Sequence, residues 1–148
     1  MIKYSHRGNI NGKILEKENS IEYIKKSIEL GYNCEVDVRY INNTLFLGHD
    51  FSQYIIDINE LLKIKDKILI HCKSSETLNY FIKNYPEFEI FYHDIENCVL
   101  TSKNHIVCGP NTKENFTENT IIALPEDFIN IPDYKNIYGI ISDYVSVY

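Results

Sequence analysis

The chain has 148 residues, of which 44% are hydrophobic and 13% aromatic, which excludes a disordered polymer. That length suits a single domain over residues 1–148, burying about 70% of its unfolded surface. A formal net charge of −6 and a pI near 5.3 argue against any general affinity for nucleic acid or for an anionic membrane. An anionic substrate would have to be met by a local cluster of cations or by a metal.

No basic-then-apolar leader and no apolar run of about 18 residues is present, so the expectation is a cytoplasmic protein without membrane insertion. In chain order, residues 2–5 form a short strand and 9–17 a polar loop. Asn19 or Ser20 caps a helix in which Ile21, Ile24 and Ile28 follow helical spacing, and Gly31 ends it. Residues 34–40 are a second strand, Asn42-Asn43 a tight turn, 44–47 a return strand, and 57–64 a short helix. A third major strand spans 67–72. A helix capped by Ser74 or Ser75 follows over 76–84 and is stopped by Pro86. Beyond a strand at 89–92 the strands become short and close together: 98–100, 105–108, 120–124 and 139–142. Residues 114–119 read as an exposed loop, and the tyrosines from 134 to 148 pack the last strand. The strand–helix–strand order of the front half implies parallel pairing.

Cys34, Cys72, Cys98 and Cys108 form no Cys-x-x-Cys pair, so zinc spacing is absent; Cys34 and Cys72 fall inside strands and read as small core residues. Glu35 and Asp37 alternate with Cys34, Val36 and Val38, and strand residues two apart share a face about 7 Å apart. Two carboxylates aimed at an interior need ionic satisfaction, for which a hard cation is the simplest means. The alternative is a solvent-facing edge strand with Arg39 as their partner. His6 and His49 lie just past strand ends. Cleaving a phosphodiester requires one group to take a proton from the attacking oxygen and another to protonate the leaving oxygen, and imidazole suits both roles. Arg7 stands beside His6 to pair with phosphate oxygens. Asp143, at the end of the last strand, is either a wall of the site or a turn former. His93-Asp94 is either a pair behind the site or the start of a loop. His105 has no partner in view and reads as a surface residue.

The ordered set His6-Arg7-Gly8, Glu18-Asn19, Glu35-Val36-Asp37 and His49-Asp50, with Tyr138-Gly139-Ile140-Ile141-Ser142-Asp143-Tyr144 near the end, resembles the glycerophosphodiester phosphodiesterases of the phospholipase C-like superfamily. A second resemblance is to a group of small bacterial proteins sharing His71-Cys72-Lys73, His93-Asp94, Leu100-Thr101-Ser102 and Ser142-Asp143-Tyr144. The first resemblance implies an α/β fold: a trimmed TIM-barrel-like (β/α) barrel in which loops replace several helices, since full barrels run to about 250 residues. It also implies a divalent cation, Mg²⁺ or Ca²⁺, on Glu35 and Asp37, with His6 and His49 as the acid/base pair and Arg7 and Lys73 on the phosphate. The family's third metal carboxylate lies in a Glu-x-Lys; here that position is His71-Cys72-Lys73, so His71, Asp94 or Asp50 completes the ligand set or the site is altered. The Trp-bearing late strand of the family has no close counterpart, and Val107-Cys108-Gly109-Pro110 stands in its place.

The expected activity is therefore metal-dependent phosphodiester cleavage, by hydrolysis or by cyclisation. The expected substrate is a small molecule with a polar head group such as glycerol or a sugar. Asp50, His93 and Asp143 would wall the site. The alternative is a non-catalytic phosphate- or phosphosugar-binding module on the same fold. An incomplete barrel would expose strand edges that a homodimer could cover.

Overall fold

The computed structural model describes residues 1–110, 112, 116–128 and 134–148. Two of the residues expected to form the loop at 114–119, 114 and 115, lie outside them, while Thr117, Glu118 and Asn119 are exposed. All the strands of the described residues join one ten-stranded sheet. Strand β1 (Ile2–His6) leads through a loop to helix α1 (Ile21–Glu29), then to β2 (Asn33–Ile41), the longest strand. A hairpin through β3 (Thr44–Leu47) and a two-residue β4 (Tyr54–Ile55) precedes the short helix α2 (Ile58–Leu62). Strand β5 (Ile68–Cys72), helix α3 (Ser75–Asn84) and strand β6 (Glu89–Phe91) complete the front half. Four short strands follow: β7 (Cys98–Leu100), β8 (Ile106–Cys108), β9 (Thr120–Ala123) and β10 (Gly139–Ser142).

Local chemistry accounts for these boundaries. Ser20 is the cap of α1, accepting from the Tyr23 N–H, and Ser74 caps α3 through the Thr77 N–H. Asn42 and Asn43 both have positive φ, as a two-residue hairpin turn requires. Asp57 caps α2 rather than lying inside it.

The sheet runs β4-β3-β2-β1-β10-β9-β8-β7, with β5 and β6 extending from the other edge of β2. Parallel pairing holds for β1 with β2, β2 with β5 and β5 with β6, as the strand–helix–strand order implied. The (β/α) barrel expected from the family resemblance is not what forms. The strands curl into a mixed, open half-barrel: β3 and β4 pair antiparallel, β7 runs antiparallel to β8, and no ladder joins β6 to β7. Only three α-helices, of nine, five and ten residues, cover it, and none follows Asn84 among the described residues. Helical periodicity fades after residue 90, and the described residues between the later strands form no α-helix.

Strand alternation gives the sheet two faces. Cys34, Val36, Val38, Ile70 and Cys72 point outward and pack with Ile24 of α1 and Phe81 of α3, all fully buried. Phe81 meets Phe88 edge-to-face at 5.5 Å. Tyr4, Leu69, Phe91, Val107, Ile121 and Ile141 point into the curl and form its apolar floor. Tyr134 and Tyr148 pack with Ile122, Ile137 and Ile140, whereas Tyr144 is largely exposed. His105, which the sequence left without a partner, stacks on Tyr138 at 3.6 Å and lies 2.6 Å from Glu89 through Nδ1.

Candidate functional site

The inward positions at the C-terminal ends of β1 and β5, and in the first half and middle of β2 between them, carry charge instead of hydrocarbon. Register brings them together: His6 lies beside Glu35, and Asp37 beside His71. Glu35, Asp37 and His71 are all buried, and each offers a ligand atom within 4.8 Å of the others'. The His71 Nδ1 is 3.0 Å from Asp37 Oδ1 and 3.6 Å from Glu35 Oε1, and Lys73 Nζ is 3.7 Å from Asp37 Oδ1. The inward reading of the two carboxylates therefore describes the structure, and Arg39 is not their partner. It instead donates to the carbonyls of Gly48 and His49, tying down the loop that carries His49.

Asp37 is the most constrained group. Asn19 clamps it twice, donating through Nδ2 to Oδ2 and accepting the Asp37 N–H at Oδ1, both at 2.9 Å. Arg7 Nε is 2.9 Å from the same Oδ2, and the other end of the guanidinium donates to Glu18 at 3.0 Å. Burial would push the Asp37 carboxyl up, but His71, Arg7 and Lys73 outweigh it and hold it well below the usual carboxylate range. Arg7 and Asn19 both have positive φ, the kind of backbone strain that collects at functional sites. Gly8 follows with φ +93°, and a Cβ there would lie 2.7 Å from the Tyr23 ring, so the His-Arg-Gly turn admits no larger residue.

His6 is oriented from behind. Its Nδ1 lies 2.7 Å from Asp143 Oδ1, which directs Nε2 toward Glu35 Oε2 at 3.9 Å. Asp143 is fully buried and also accepts from Asn9 Nδ2 at 2.8 Å, while Lys13 approaches it at 3.4 Å. Glu126 takes the Asp143 N–H at 2.8 Å and the Ser142 hydroxyl at 3.0–3.1 Å, fixing the end of β10. Burial lowers the pKa of His6, and the Asp143 bond with the Glu35 charge overcomes this, so the net direction is upward. His49 is half-exposed and held by Asp50 at 2.8 Å; burial, aided by the Arg7 and Lys73 charges, leaves its pKa below the ordinary value. His6 and His49 line one cavity with Arg7, Glu35, His71 and His93.

The remaining residues singled out in the sequence fall as follows. Asp50 is exposed and pairs with His49. His93 stacks on His71 at 4.8 Å, and its buried Nδ1 has no hydrogen-bond partner among the described residues. Asp94 is exposed on the β6–β7 connection and is not among the three residues grouped as ligands. Asn9, Lys13 and Glu126 were not legible in the sequence. Asn9 donates to both Glu18 and Asp143, joining residues 125 positions apart, and no local pattern signals such a bridge.

The donor set fits a divalent cation. Among the described residues Glu35 Oε2 is buried without a hydrogen-bond partner, Asp37 Oδ1 faces the His71 ring and the Lys73 ammonium, and two carboxylates with one imidazole are ligand types that divalent metals accept. Among the described residues no helix is long and apolar enough to cross a membrane. No protein-family model matches the chain, and no curated protein and no solved structure matches it either.

Proposed function

We propose that this site cleaves phosphodiesters with the help of a divalent cation held by Glu35, Asp37 and His71. The observation that carries this reading is the convergence of two carboxylate-oriented imidazoles and a carboxylate–imidazole ligand group on one cavity. The resemblance to the glycerophosphodiester phosphodiesterases supports it from the sequence side. Arg7 and Lys73 would neutralise the phosphate. A cation bound there would supply Lewis-acid stabilisation of charge on the phosphoryl oxygens.

The proton transfers belong to the chain itself. An attacking oxygen, from water or from a hydroxyl of the substrate, forms a bond to phosphorus and gives its proton to one imidazole. The bond from phosphorus to the leaving oxygen breaks with its electron pair on that oxygen, which takes a proton from the other imidazole. Water yields a phosphomonoester and an alcohol; a substrate hydroxyl yields a cyclic phosphodiester and an alcohol. Asp143 and Asp50 hold the two rings so that Nε2 of each remains available. The two rings are shifted in opposite directions, His6 upward against its burial by the Asp143 bond and the Glu35 charge, His49 downward by burial, the separation that an acid and a base need.

The test is ³¹P NMR of the purified chain with a panel of glycerophosphodiesters and alkyl and aryl phosphodiesters in Mg²⁺, Ca²⁺ or Mn²⁺, repeated in EDTA. New monoester or cyclic-phosphate signals that vanish with EDTA, and with Glu35→Gln, are expected. An unchanged spectrum under every condition would remove the catalytic reading and leave a phosphate-binding module.

A further inference from the structure

No ladder joins β6 to β7, although Ser102, just past β7, donates to the carbonyls of Ile90 and Phe88 and accepts the Ile90 N–H across that edge. A cavity of about 250 Å³ lies within the curl where the charged residues stand. Beside the proposed catalytic group, Phe91, which stacks on His71 at 4.6 Å, and Val99, Val107, Ala123, Leu124 and Ile141 supply the apolar part of the lining. Among the described residues Arg7 is the one Lys or Arg in the lining, and it is already engaged by Asp37 and Glu18. The acidic groups are Glu35 within and Glu96, which is exposed. Besides the proposed catalytic group the lining adds His93, Asn97 and Glu96 as polar side chains and, among the described residues, no further Lys or Arg for a second anionic group.

Leu124 supplies an independent observation. It has φ 52° and ψ 58°, a left-handed conformation rare for a γ-branched residue, and it directly precedes Pro125. Its N–H donates to the Ile141 carbonyl at 2.7 Å, and its carbonyl accepts from Asp127 at 2.9 Å, so the strained turn is fixed at both ends. The same turn carries Glu126, which holds Asp143 behind His6. Strain retained at a cavity wall that is coupled to the catalytic end marks a position set by function rather than by packing alone.

We propose that this cavity selects phosphodiesters bearing one uncharged, apolar substituent of about phenyl or butyl size, with Leu124 setting the preference. The inference rests on the phosphodiesterase reading for the chemistry, and replaces the glycerol-like head group expected from the sequence. An engineered apolar cavity of about 150 Å³ admits benzene, so about 250 Å³ holds such a group with part of its phosphate.

Binding separates this inference from catalysis. Titration calorimetry of the whole chain with Mg²⁺ would compare inorganic, methyl, glycerol, n-butyl and phenyl phosphate. Three added methylenes are worth about fourfold each, so n-butyl phosphate is expected to bind about 60-fold more tightly than methyl phosphate. Glycerol phosphate should match the methyl ester. Leu124→Gly, which suits the positive φ, and Val99→Thr, which keeps the shape, should each reduce that ratio, the first to within about threefold. Butyl and methyl esters binding equally, in a protein that turns over phosphodiesters, would overturn this inference and leave the activity standing. Preferential butyl binding without turnover would uphold the cavity and remove the catalytic reading. Failure of all five ligands to bind would overturn both.

Discussion

Asn19→Ala provides a sharp test of how the site is built. Asn19 is 1% exposed and makes two bonds to Asp37, one to the carboxylate and one from the backbone N–H. Losing a hydrogen bond to a charged group costs about 1.5–3 kcal/mol, and stranding a buried N–H about 1–3 kcal/mol. Alanine at φ +61° adds about 1 kcal/mol of left-handed strain that asparagine tolerates better. The expected loss is about 4–6 kcal/mol, a large share of the about 5–15 kcal/mol that holds a domain together. Asn19→Gly loses the same bonds without the strain, and its greater unfolded-chain entropy, about 0.4–1 kcal/mol, offsets most of that relief, so it should be no worse than the alanine variant. Urea unfolding in EDTA reads both; with a slope of about 2 kcal/mol per molar, the midpoint of Asn19→Ala should fall by about 2 M or more. A fall of less than about 0.5 M, or a glycine variant worse than the alanine one, would refute the account of Asn19 as the clamp of Asp37.

Millimolar Mg²⁺, Ca²⁺ or Mn²⁺ should raise the melting temperature of the chain, by about 5–10 °C at one hundred times the dissociation constant, and Glu35→Gln should abolish the rise; a melting point indifferent to all three ions would remove the cation site. Asp143→Asn keeps the shape but not the charge behind His6, and should lower kcat by about 10²–10⁴-fold with KM little changed; a KM effect alone would place Asp143 on the substrate instead. Cys34 and Cys72, each pushed up to about 12 by burial, should stay silent toward a thiol reagent until the chain unfolds, while half-buried Cys98 labels first. In EDTA, Asp37 and Asp143, held below their ordinary values, contribute stability that is lost as pH falls below about 4. His6 and His71, held above theirs, contribute stability lost as pH rises beyond about 6.5, so the metal-free chain should be most stable between those limits. A flat pH profile would contradict both assignments.

What the sequence disclosed is what local spacing can encode. Alternation placed Glu35 and Asp37 on one face and Cys34, Val36 and Val38 on the other, and the sheet keeps that division. Caps and turn residues at Ser20, Ser74 and Asn42-Asn43 lie where their side-chain chemistry put them. Asn19, weighed as a cap, has a longer reach: its side chain is spent on Asp37, and the neighbouring Ser20 caps the helix. The barrel failed as an expectation because closure depends on pairing between distant strands, which strand spacing does not specify. His105 and Glu126 were misjudged or missed for the same reason, since their partners, Glu89 and Asp143, lie 16 and 17 residues away with no periodicity linking them.

The seam between β1 and β10 gives the molecule a mechanical direction. The first and last strands lie side by side and parallel, with Ile2 against Gly139 and Ser5 against Ser142. Tension on the two ends of the chain would pull β1 toward its N-terminus and β10 toward its C-terminus, sliding one past the other. The ladder bonds between them would then bear load together rather than open one by one, so resistance to stretching should exceed that of a peeled hairpin such as β3–β4. His6 and Asp143 stand at the end of this seam, joined by a single bond across it. Slippage by one residue pair would part them, so the His6 ring would lose its orienting carboxylate before the rest of the sheet gave way.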